Sequence, residues 1–243
     1  MNTFMKYPAS LIAIVSLAAC GGPSTESDTP IAAEPAPPEA ETVEVAAAAL
    51  GPIADVTSGD YTLDLGHAFL TFKVGHSGGI SSYRVTMNDY TAKLGFNAET
   101  PEQSSLSVTI NPMGVETNYT GDFKASHPES AFDSWNEDLS RDTKWLNADA
   151  HPEITFEATS IARTSENAGT VTGDLTLLGM TKPVTLDVTY NGHANVPWYG
   201  ERDIVGFDAT TTLIRSEWGM GAYIPMIGDQ VDIAFSGEFV QDE

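Results

Sequence analysis

Two histidines bracket one stretch of alternating apolar and polar residues, where they could act as metal ligands or as acid–base groups. His67 follows Gly66 and His76 follows Gly75, and the two histidines are nine positions apart. Side chains of a β-strand alternate between its two faces, so this spacing puts the rings on opposite faces unless a bulge intervenes, and the glycines permit one. A metal site would need a third ligand, and the sequence places none nearby. We therefore interpret both histidines as polar groups at a barrel mouth or as hydrogen-bonded core residues.

Arg215 and Trp218 are further candidates for a binding site. Arg215 ends the alternating stretch that begins at Phe207, and its position in that alternation turns its side chain inward. A buried guanidinium without a partner is costly, so either a carboxylate, Asp229 or Asp232, or the head group of a ligand should pair with it. Trp218 would either plug a barrel or form the rim over a pocket, and plugging is the default role of a large buried aromatic side chain.

No combination of residue types identifies a catalytic site. The sequence has no serine elbow, no glycine-rich phosphate loop and no HExxH motif, and no spacing of Ser, His and Asp singles out a nucleophile with its base. The chain carries 11 Lys and Arg against 34 Asp and Glu, a formal net charge of −23. Such a charge excludes a protein that coats nucleic acid, because affinity for the phosphate backbone comes from cationic contacts.

The only cysteine, Cys20, follows a predicted export signal. Residues 1–19 contain one cation, an apolar run too short to span a bilayer, and small residues before the cysteine. The stretch Leu17–Cys20 resembles the lipobox of bacterial lipoproteins, in which the thiol is acylated and the peptide is cut before it. This resemblance implies a membrane-anchored periplasmic lipoprotein, and Gly21 favours the outer membrane. An ordinary signal peptide with a coincidental cysteine is the alternative.

Residues 20–58 are predicted to form a disordered tether. The segment from 21 to 57 has six prolines, seven acidic residues, and no lysine, arginine or aromatic residue. It cannot bury enough apolar surface to offset the entropy lost on ordering its backbone. Residues 59–243 are therefore expected to be the folded domain.

Within this domain, apolar residues alternate with polar ones, as they do in half-buried strands. The alternation is clearest in residues 68–74, 106–110, 154–158, 175–177, 184–190 and 231–235. Many strands without intervening helices indicate an all-β barrel or sandwich. The exception is Asn118–His151, where Leu139, Thr143 and Leu146 would share one face of a helix. Small residues at inward positions would leave a barrel partly empty: Ala68, Ala92, Ala158, Ala209 and Gly237.

Several motifs occur in one order along this domain: Asp64–His76, Thr109–Ile110, Val115–Thr117, His151–Phe156, Val171–Val184, Gly206–Phe207, Arg215–Gly219 and Gly228–Val231. Together they resemble the YceI-like family of periplasmic polyisoprenoid-binding proteins. The most specific is Val171–Val184, which is similar to the family pattern G-x-L-T-x-x-G-V-T-K-P-V almost throughout. The resemblance covers nearly all of the domain.

The resemblance implies an antiparallel eight-stranded lipocalin-like barrel with a short helical insert, which encloses an isoprenoid or similar chain with its polar head near the mouth. We therefore expect non-catalytic binding and carriage of a long-chain isoprenoid lipid or quinone in the periplasm, without a further cofactor. Leu70, Phe72, Val74 and Phe156 are expected to line the tail channel, and His67, His76, Arg215 and Trp218 to lie nearer the head. Two alternatives stay open. One is a hydrolase or isomerase that uses a histidine at the mouth on a small lipophilic substrate, and the other is a structural or stress-response lipoprotein with a filled barrel.

Overall fold

The structure, a computed structural model, describes residues 50–243. The predicted signal segment, the predicted lipidation site Cys20 and most of the predicted tether lie outside these residues. Within residues 50–243, no helix is both long and apolar enough to cross a membrane. The end of the predicted tether lies against the folded domain, where the Ile53 amide donates to the Ala98 carbonyl at 2.8 Å and the Thr57 amide donates to the Asp203 carboxylate at 2.8 Å.

Ten strands form one antiparallel sheet, and the stretches in which apolar and polar residues alternate lie in these strands. Their bounds are β1 (Gly59–His76), β2 (Ser81–Met87), β3 (Tyr90–Phe96), β4 (Ser105–Ile110), β5 (Val115–Glu116), β6 (Ile154–Arg163), β7 (Ala168–Leu177), β8 (Met180–Asn195), β9 (Asp203–Ile214) and β10 (Ile227–Gln241).

Pairing of the first and last strands closes the sheet. β1 pairs with β10 from Tyr61 opposite Gln241 to His76 opposite Ile227. β2 and β3 together form one kinked strand beside β1, and β4 and β5 form another, so the wall has eight strands in up-and-down order. The structure confirms the predicted eight-stranded lipocalin-like barrel and excludes the sandwich.

The two kinked strands bend at the same level. The Asn88 amide donates to the Gly114 carbonyl at 2.9 Å, and the Asn111 amide donates to the Asp89 carbonyl at 2.9 Å. A Cβ atom added to Gly114 would lie 2.4 Å from the Cβ atom of Asp89, so only glycine fits this close approach. Beyond the bend β5 pairs with β2, and the ladder between β4 and β6 ends at Ile110 opposite Ile154.

Residues 117–153 connect β5 to β6 at one end of the barrel, which we call the insert end. This insert contains two short helices, α1 (Phe123–Ser126) and α2 (Trp135–Arg141). The predicted helical insert is confirmed, but α2 lies earlier than the predicted helical face of Leu139, Thr143 and Leu146. The Asp142 carboxylate accepts the Lys144 amide at 2.9 Å, and this local bond competes with continuation of the helix.

Aromatic side chains pack the opposite end of the barrel. The rings of Tyr61 and Phe96 meet edge to face with centroids 5.8 Å apart, and Phe96 also contacts Tyr190 and Phe207. Tyr61 is fully buried. A second buried cluster, which includes Phe156, Leu175, Leu177 and Trp218, lies on the β6–β7 side and extends toward the insert end.

Candidate functional site

Two cavities lie inside the barrel and meet at its middle. The insert-end cavity has a volume of about 370 Å³, and the opposite-end cavity has a volume of about 250 Å³. Five residues line both: Leu70, Ile110, Leu175, Leu213 and Ile233. On β1 the lining runs from Leu63 to Val74, about 35 Å along the strand. The interior therefore holds two adjoining apolar cavities that follow the length of the barrel, and their combined volume is in the size class of small-molecule pockets.

The inner wall is apolar because strand alternation turns its leucines, valines and isoleucines inward, but these side chains do not fill the barrel. Inward residues of the middle, such as Phe72, Leu186 and Leu213, are only half-buried. Two of the small residues singled out from the sequence, Ala92 and Ala209, line the opposite-end cavity. Gly237 has another role, because a Cβ atom there would lie 2.6 Å from the Phe235 ring.

The structure places six of the eight predicted site residues on the walls of this space. Leu70 lines both cavities, and Phe156 lines the opposite-end cavity. The remaining four line the insert-end cavity: Phe72, Val74, Arg215 and Trp218. Neither His67 nor His76 lines a cavity.

Arg215 is buried, with 4 % exposure, and its partners are main-chain oxygens. The guanidinium donates to the carbonyls of Gly228 at 2.7 Å, Ala222 at 2.8 Å and Ile227 at 2.9 Å, and also to that of Met220. Burial lowers the pKa of Arg215, and the negative charge of Asp229 opposes this shift. The expected partner was a carboxylate or a ligand head group, and the actual partners are carbonyls of the connection between β9 and β10 and of the first two residues of β10.

The two carboxylates considered for Arg215 bind other groups. Asp229 accepts the Ser216 amide at 2.8 Å and the Ser216 hydroxyl at 2.7 Å. Asp232 pairs with Lys73 at 2.7 Å on the outer face. Most of the Arg215 donor capacity is therefore used within the fold, which leaves little for an anionic ligand.

Trp218 is buried in the wall of the insert-end cavity. It is 3 % exposed, and the Lys182 ammonium lies 5.2 Å from its ring centroid while donating to the Glu217 carbonyl. Gly219 follows with φ +86°, a left-handed conformation that ends the turn and favours glycine. The sequence allowed a plug or a rim over a pocket, and this burial speaks against an exposed rim.

The two histidines lie at different levels of β1, about 30 Å of strand apart. His76 stands at the insert end, where its ring contacts Tyr83 with centroids 4.6 Å apart and its Nδ1 lies 3.0 Å from the Ser77 hydroxyl. His67 lies in the irregular part of β1 between Leu63 and Ala68, where the pairing with β10 shifts register. The two rings therefore cannot share one site.

His67 belongs to a polar cluster on the outside of the barrel. The Asp64 carboxylate accepts from Tyr199 Oη and lies 2.8 Å from His67 Nδ1. These bonds lower the pKa of Asp64, and the bond to Asp64 raises the pKa of His67. The same carboxylate raises the pKa of Tyr199 to about 12. The cluster ties the irregular part of β1 to the connection between β8 and β9.

Three buried hydrogen-bond donors of cavity-lining residues were not singled out from the sequence. Tyr90 Oη, Trp135 Nε1 and Arg163 Nε have no partner within residues 50–243. Tyr90 and Arg163 line the opposite-end cavity, and Trp135 lines the insert-end cavity. The alternation of β3 could have identified Tyr90 as inward-facing. No periodic signal could have identified Trp135, because it lies in the irregular insert. A buried donor without a partner is costly, so a ligand oxygen that reaches one of these atoms through the cavity wall would remove that cost.

An up-and-down barrel of eight strands around an elongated apolar cavity defines the lipocalin-like class, consistent with binding a hydrophobic ligand. Residues 61–239 match the model of the YceI-like domain, and the chain belongs to that family. The family resemblance seen in the sequence is thereby confirmed.

Relatives and solved structures agree with this assignment. The chain is 35 % identical over 184 residues to the UPF0312 protein of Ectopseudomonas mendocina (strain ymp), covering 75 % of this chain and 87 % of the relative. It superposes on the crystal structure of Burkholderia cenocepacia BcnA with a TM-score of 0.59 and 21 % identity, covering 74 % of this chain and 99 % of the other. For the Campylobacter jejuni YCEI protein the TM-score is 0.54 at 22 % identity, covering 68 % and 88 %. At these identities the solved structures establish the fold.

Proposed function

We propose that this protein binds and carries a long-chain isoprenoid lipid or quinone without catalysis. The observation that carries this proposal is the pair of apolar cavities that adjoin at Leu70 and Leu213 inside the barrel. Each methylene buried there contributes about 0.8 kcal/mol before the cost of ordering the chain. Such a wall favours a long hydrocarbon tail.

The polar groups of the insert-end cavity favour a neutral head group that accepts a hydrogen bond. Arg215 already binds four carbonyls, and the Asp138 carboxylate, which would repel an anion, lines the same cavity. Trp135 Nε1 is a donor only and has no partner within residues 50–243. A carbonyl oxygen of a quinone would suit this donor.

The arrangement gives less support to the alternative of a hydrolase or isomerase. Both histidines lie outside the cavities, and His67 is held by Asp64 and Tyr199 on the outer surface. The volumes of the two cavities count against a barrel filled by its own side chains.

The site of action belongs to the same proposal. A lipidated Cys20 followed by an acidic, proline-rich tether would keep the barrel in the periplasm, anchored to a membrane that we propose to be the outer one. A Cys20→Ser chain should then leave the membrane fraction.

Organic extraction of the purified chain followed by mass spectrometry tests the ligand directly. The extract should contain a lipophilic molecule with an isoprenoid chain, and Ala209→Phe should remove most of it, because the new ring would occupy the opposite-end cavity. Thr212→Phe is the matched control, since residue 212 lies on the outer face of the same strand and is exposed. An empty extract from the unmodified, folded chain would contradict the proposal.

The head group is tested by comparing two substitutions at the insert-end cavity. Trp135→Phe keeps most of the ring volume but removes the donor, and should weaken quinone binding by about 1–1.5 kcal/mol, roughly five- to tenfold. Arg84 is exposed and lines the same cavity. Arg84→Gln should therefore weaken binding only of a ligand whose head group is anionic. Binding that depends on Arg84 and on salt, and not on Trp135, would indicate an anionic lipid instead.

A further inference from the structure

Exposed apolar side chains are concentrated at the insert end. Eleven large apolar residues are exposed within residues 50–243, and six of them lie around the insert-end cavity or on the loops beside it. We call these six the apolar rim: Ile80, Tyr83, Tyr119, Tyr223, Ile224 and Met226. Ile80 is 88 % exposed and Met226 58 %. A concentration of this kind marks an interaction surface, whereas scattered single residues do not.

The rim surrounds the mouth of the cavity. Tyr83 and Tyr119 line the insert-end cavity and are themselves exposed, so the cavity reaches the surface between them. The two loops that carry most of the rim touch, since the Gly78 amide donates to the Met226 carbonyl at 3.3 Å. The Tyr223 ring contacts the Trp145 ring, with centroids 5.9 Å apart, and Trp145 also lines the cavity.

The charge of these loops differs from that of the rest of the molecule. Residues 218–228 contain no charged side chain, and residues 77–88 contain Arg84 and no carboxylate, in a chain with a net charge of −23. The connections at the opposite end each carry carboxylates, among them Glu99, Glu102, Glu166 and Glu201. Burying the tips of these two loops in an apolar medium would therefore cost no desolvation of carboxylates, which fits a lipid surface. Tyr119 differs from the other rim residues, because it belongs to the insert, which carries eight carboxylates.

We propose that the apolar rim inserts into the surface of a lipid bilayer and holds the mouth of the insert-end cavity against it. A ligand could then pass between bilayer and barrel without crossing water. This inference rests on the proposed function. Carboxylates of the insert lie beside the mouth. Asp138 lines the cavity and accepts Trp145 Nε1 at 3.1 Å, and Trp145 contacts the rim residue Tyr223. The rim should therefore prefer zwitterionic lipid to anionic lipid.

Fluorescent labels at single positions test which end meets the bilayer. In the full chain with Cys20→Ser, Ile80→Cys or Trp198→Cys would each be labelled with nitrobenzoxadiazole. Trp198 is the matched control, since it is 76 % exposed and lies in the connection between β8 and β9, at the opposite end. Phosphatidylcholine vesicles should shift the emission at position 80 to shorter wavelength, with quenching by spin-labelled lipid, and leave position 198 unchanged.

Three results would overturn the inference: no response at position 80, equal responses at both positions, or a shift at position 80 that appears without vesicles and grows with protein concentration. The last result would mean that a second copy of the chain covers the rim. Vesicles with added phosphatidylglycerol should give a weaker shift, and a stronger one would contradict the stated lipid preference.

Ligand transfer separates this inference from the proposed function. Ile80→Asp combined with Met226→Asp should slow delivery of bound ligand to acceptor vesicles at least about fivefold, because charged tips resist insertion. The ligand content after purification should stay unchanged, and Trp198→Asp should have no effect. Absence of ligand from the unmodified chain would contradict the proposed function, whereas retained ligand with unchanged transfer would contradict only the rim.

Discussion

Arg215 sits inside the insert end and binds the main-chain carbonyls of residues 220, 222, 227 and 228. Its guanidinium lies 5.6 Å from the centroid of the Trp145 ring, so the residue also contacts the insert. Two of these carbonyls belong to the connection between β9 and β10 and two to the start of β10, and a buried carbonyl needs a hydrogen-bond donor. At the scale of single residues, this cation orders the loop that carries half of the apolar rim.

Substitution of Arg215 should therefore destabilise the fold. Arg215→Met preserves much of the apolar stem but removes all the donors, and we expect a loss of about 3 kcal/mol or more in the free energy of unfolding, because several buried carbonyls lose their partners. Urea denaturation followed by circular dichroism measures this change. Arg84→Met at an exposed position should change it by less than about 0.5 kcal/mol. Equal effects of the two substitutions would show that the Arg215 bonds contribute little.

The cluster around His67 predicts a defined pH dependence. The pKa of His67 is raised above its ordinary value of 6.5, so its stabilising contribution is complete below about pH 6.5 and is lost as the pH rises through the folded value. The pKa of Asp64 is lowered from 3.8, so its contribution is present above that value and is lost as the pH falls through the folded one. The pair should stabilise the fold most between about pH 4 and 6.5.

Asp64→Asn tests this cluster through the histidine. Without the carboxylate, the pKa of His67 should fall toward 6.5, as followed by NMR titration of its ring signals. Asp60→Asn, at an exposed position nearby on β1, should leave that titration unchanged. If Asp64→Asn has no effect on the His67 titration, the hydrogen bond between the two side chains does not form in solution.

At the scale of elements, helix α2 supports one wall of the insert-end cavity. Ser134 caps its N-terminus by accepting the Glu137 amide at 3.1 Å, and Glu137 in turn accepts the Asp133 amide at 2.9 Å. The helix places Trp135 and Leu139 on the cavity wall. A helix of seven residues is too short to be stable alone, so these caps and its packing hold it.

Removing the cap should loosen this wall without unfolding the barrel. Ser134→Ala is expected to cost about 1 kcal/mol of local stability, since an amide at the helix end loses its acceptor. Native-state hydrogen exchange should show faster exchange in residues 135–141 and unchanged exchange in β7 to β10. Ser81→Ala, at an exposed strand end, is a control for a simple hydroxyl loss. Uniform acceleration across the barrel would mean that the insert and the barrel unfold together.

At the scale of the whole molecule, the half-empty barrel makes stability depend on its ligand. A ligand present at about 100 times its dissociation constant adds about 2.7 kcal/mol, which corresponds to about 5–10 °C in the unfolding midpoint of a domain of this size. Calorimetry of the chain before and after gentle delipidation should show this decrease. Ala209→Phe, which narrows the opposite-end cavity, should show a smaller decrease. An equal decrease in both chains would mean that the midpoint does not report cavity occupancy.

Much of this architecture is readable from the residues alone. The alternation on β1, β8 and β10 identified strands and told which side chains face inward, because the period of two is a local property of an extended chain. Six site residues, predicted from this alternation together with the family resemblance, lie on the cavity walls. The ordered motifs also identified the family, and the acidic composition excluded nucleic acid.

Other features depend on distances between residues that are remote in the sequence, so they become visible only in the folded chain. The alternation of residues along β9 predicts that Arg215 points inward. It does not predict that nearby main-chain carbonyls, and not a carboxylate or a ligand, are the hydrogen-bond partners of its guanidinium. The alternation likewise cannot distinguish a filled barrel from a hollow one, because the cavity volume depends on the distance between opposite walls of the barrel. The unpartnered donor of Trp135 and the separation of His67 from the cavities follow from an irregular insert and a register shift. The alternation of residues along each strand determined which side chains form the inner wall of the barrel. The packing of segments that are distant in the sequence determined the size and shape of the cavities that this wall encloses.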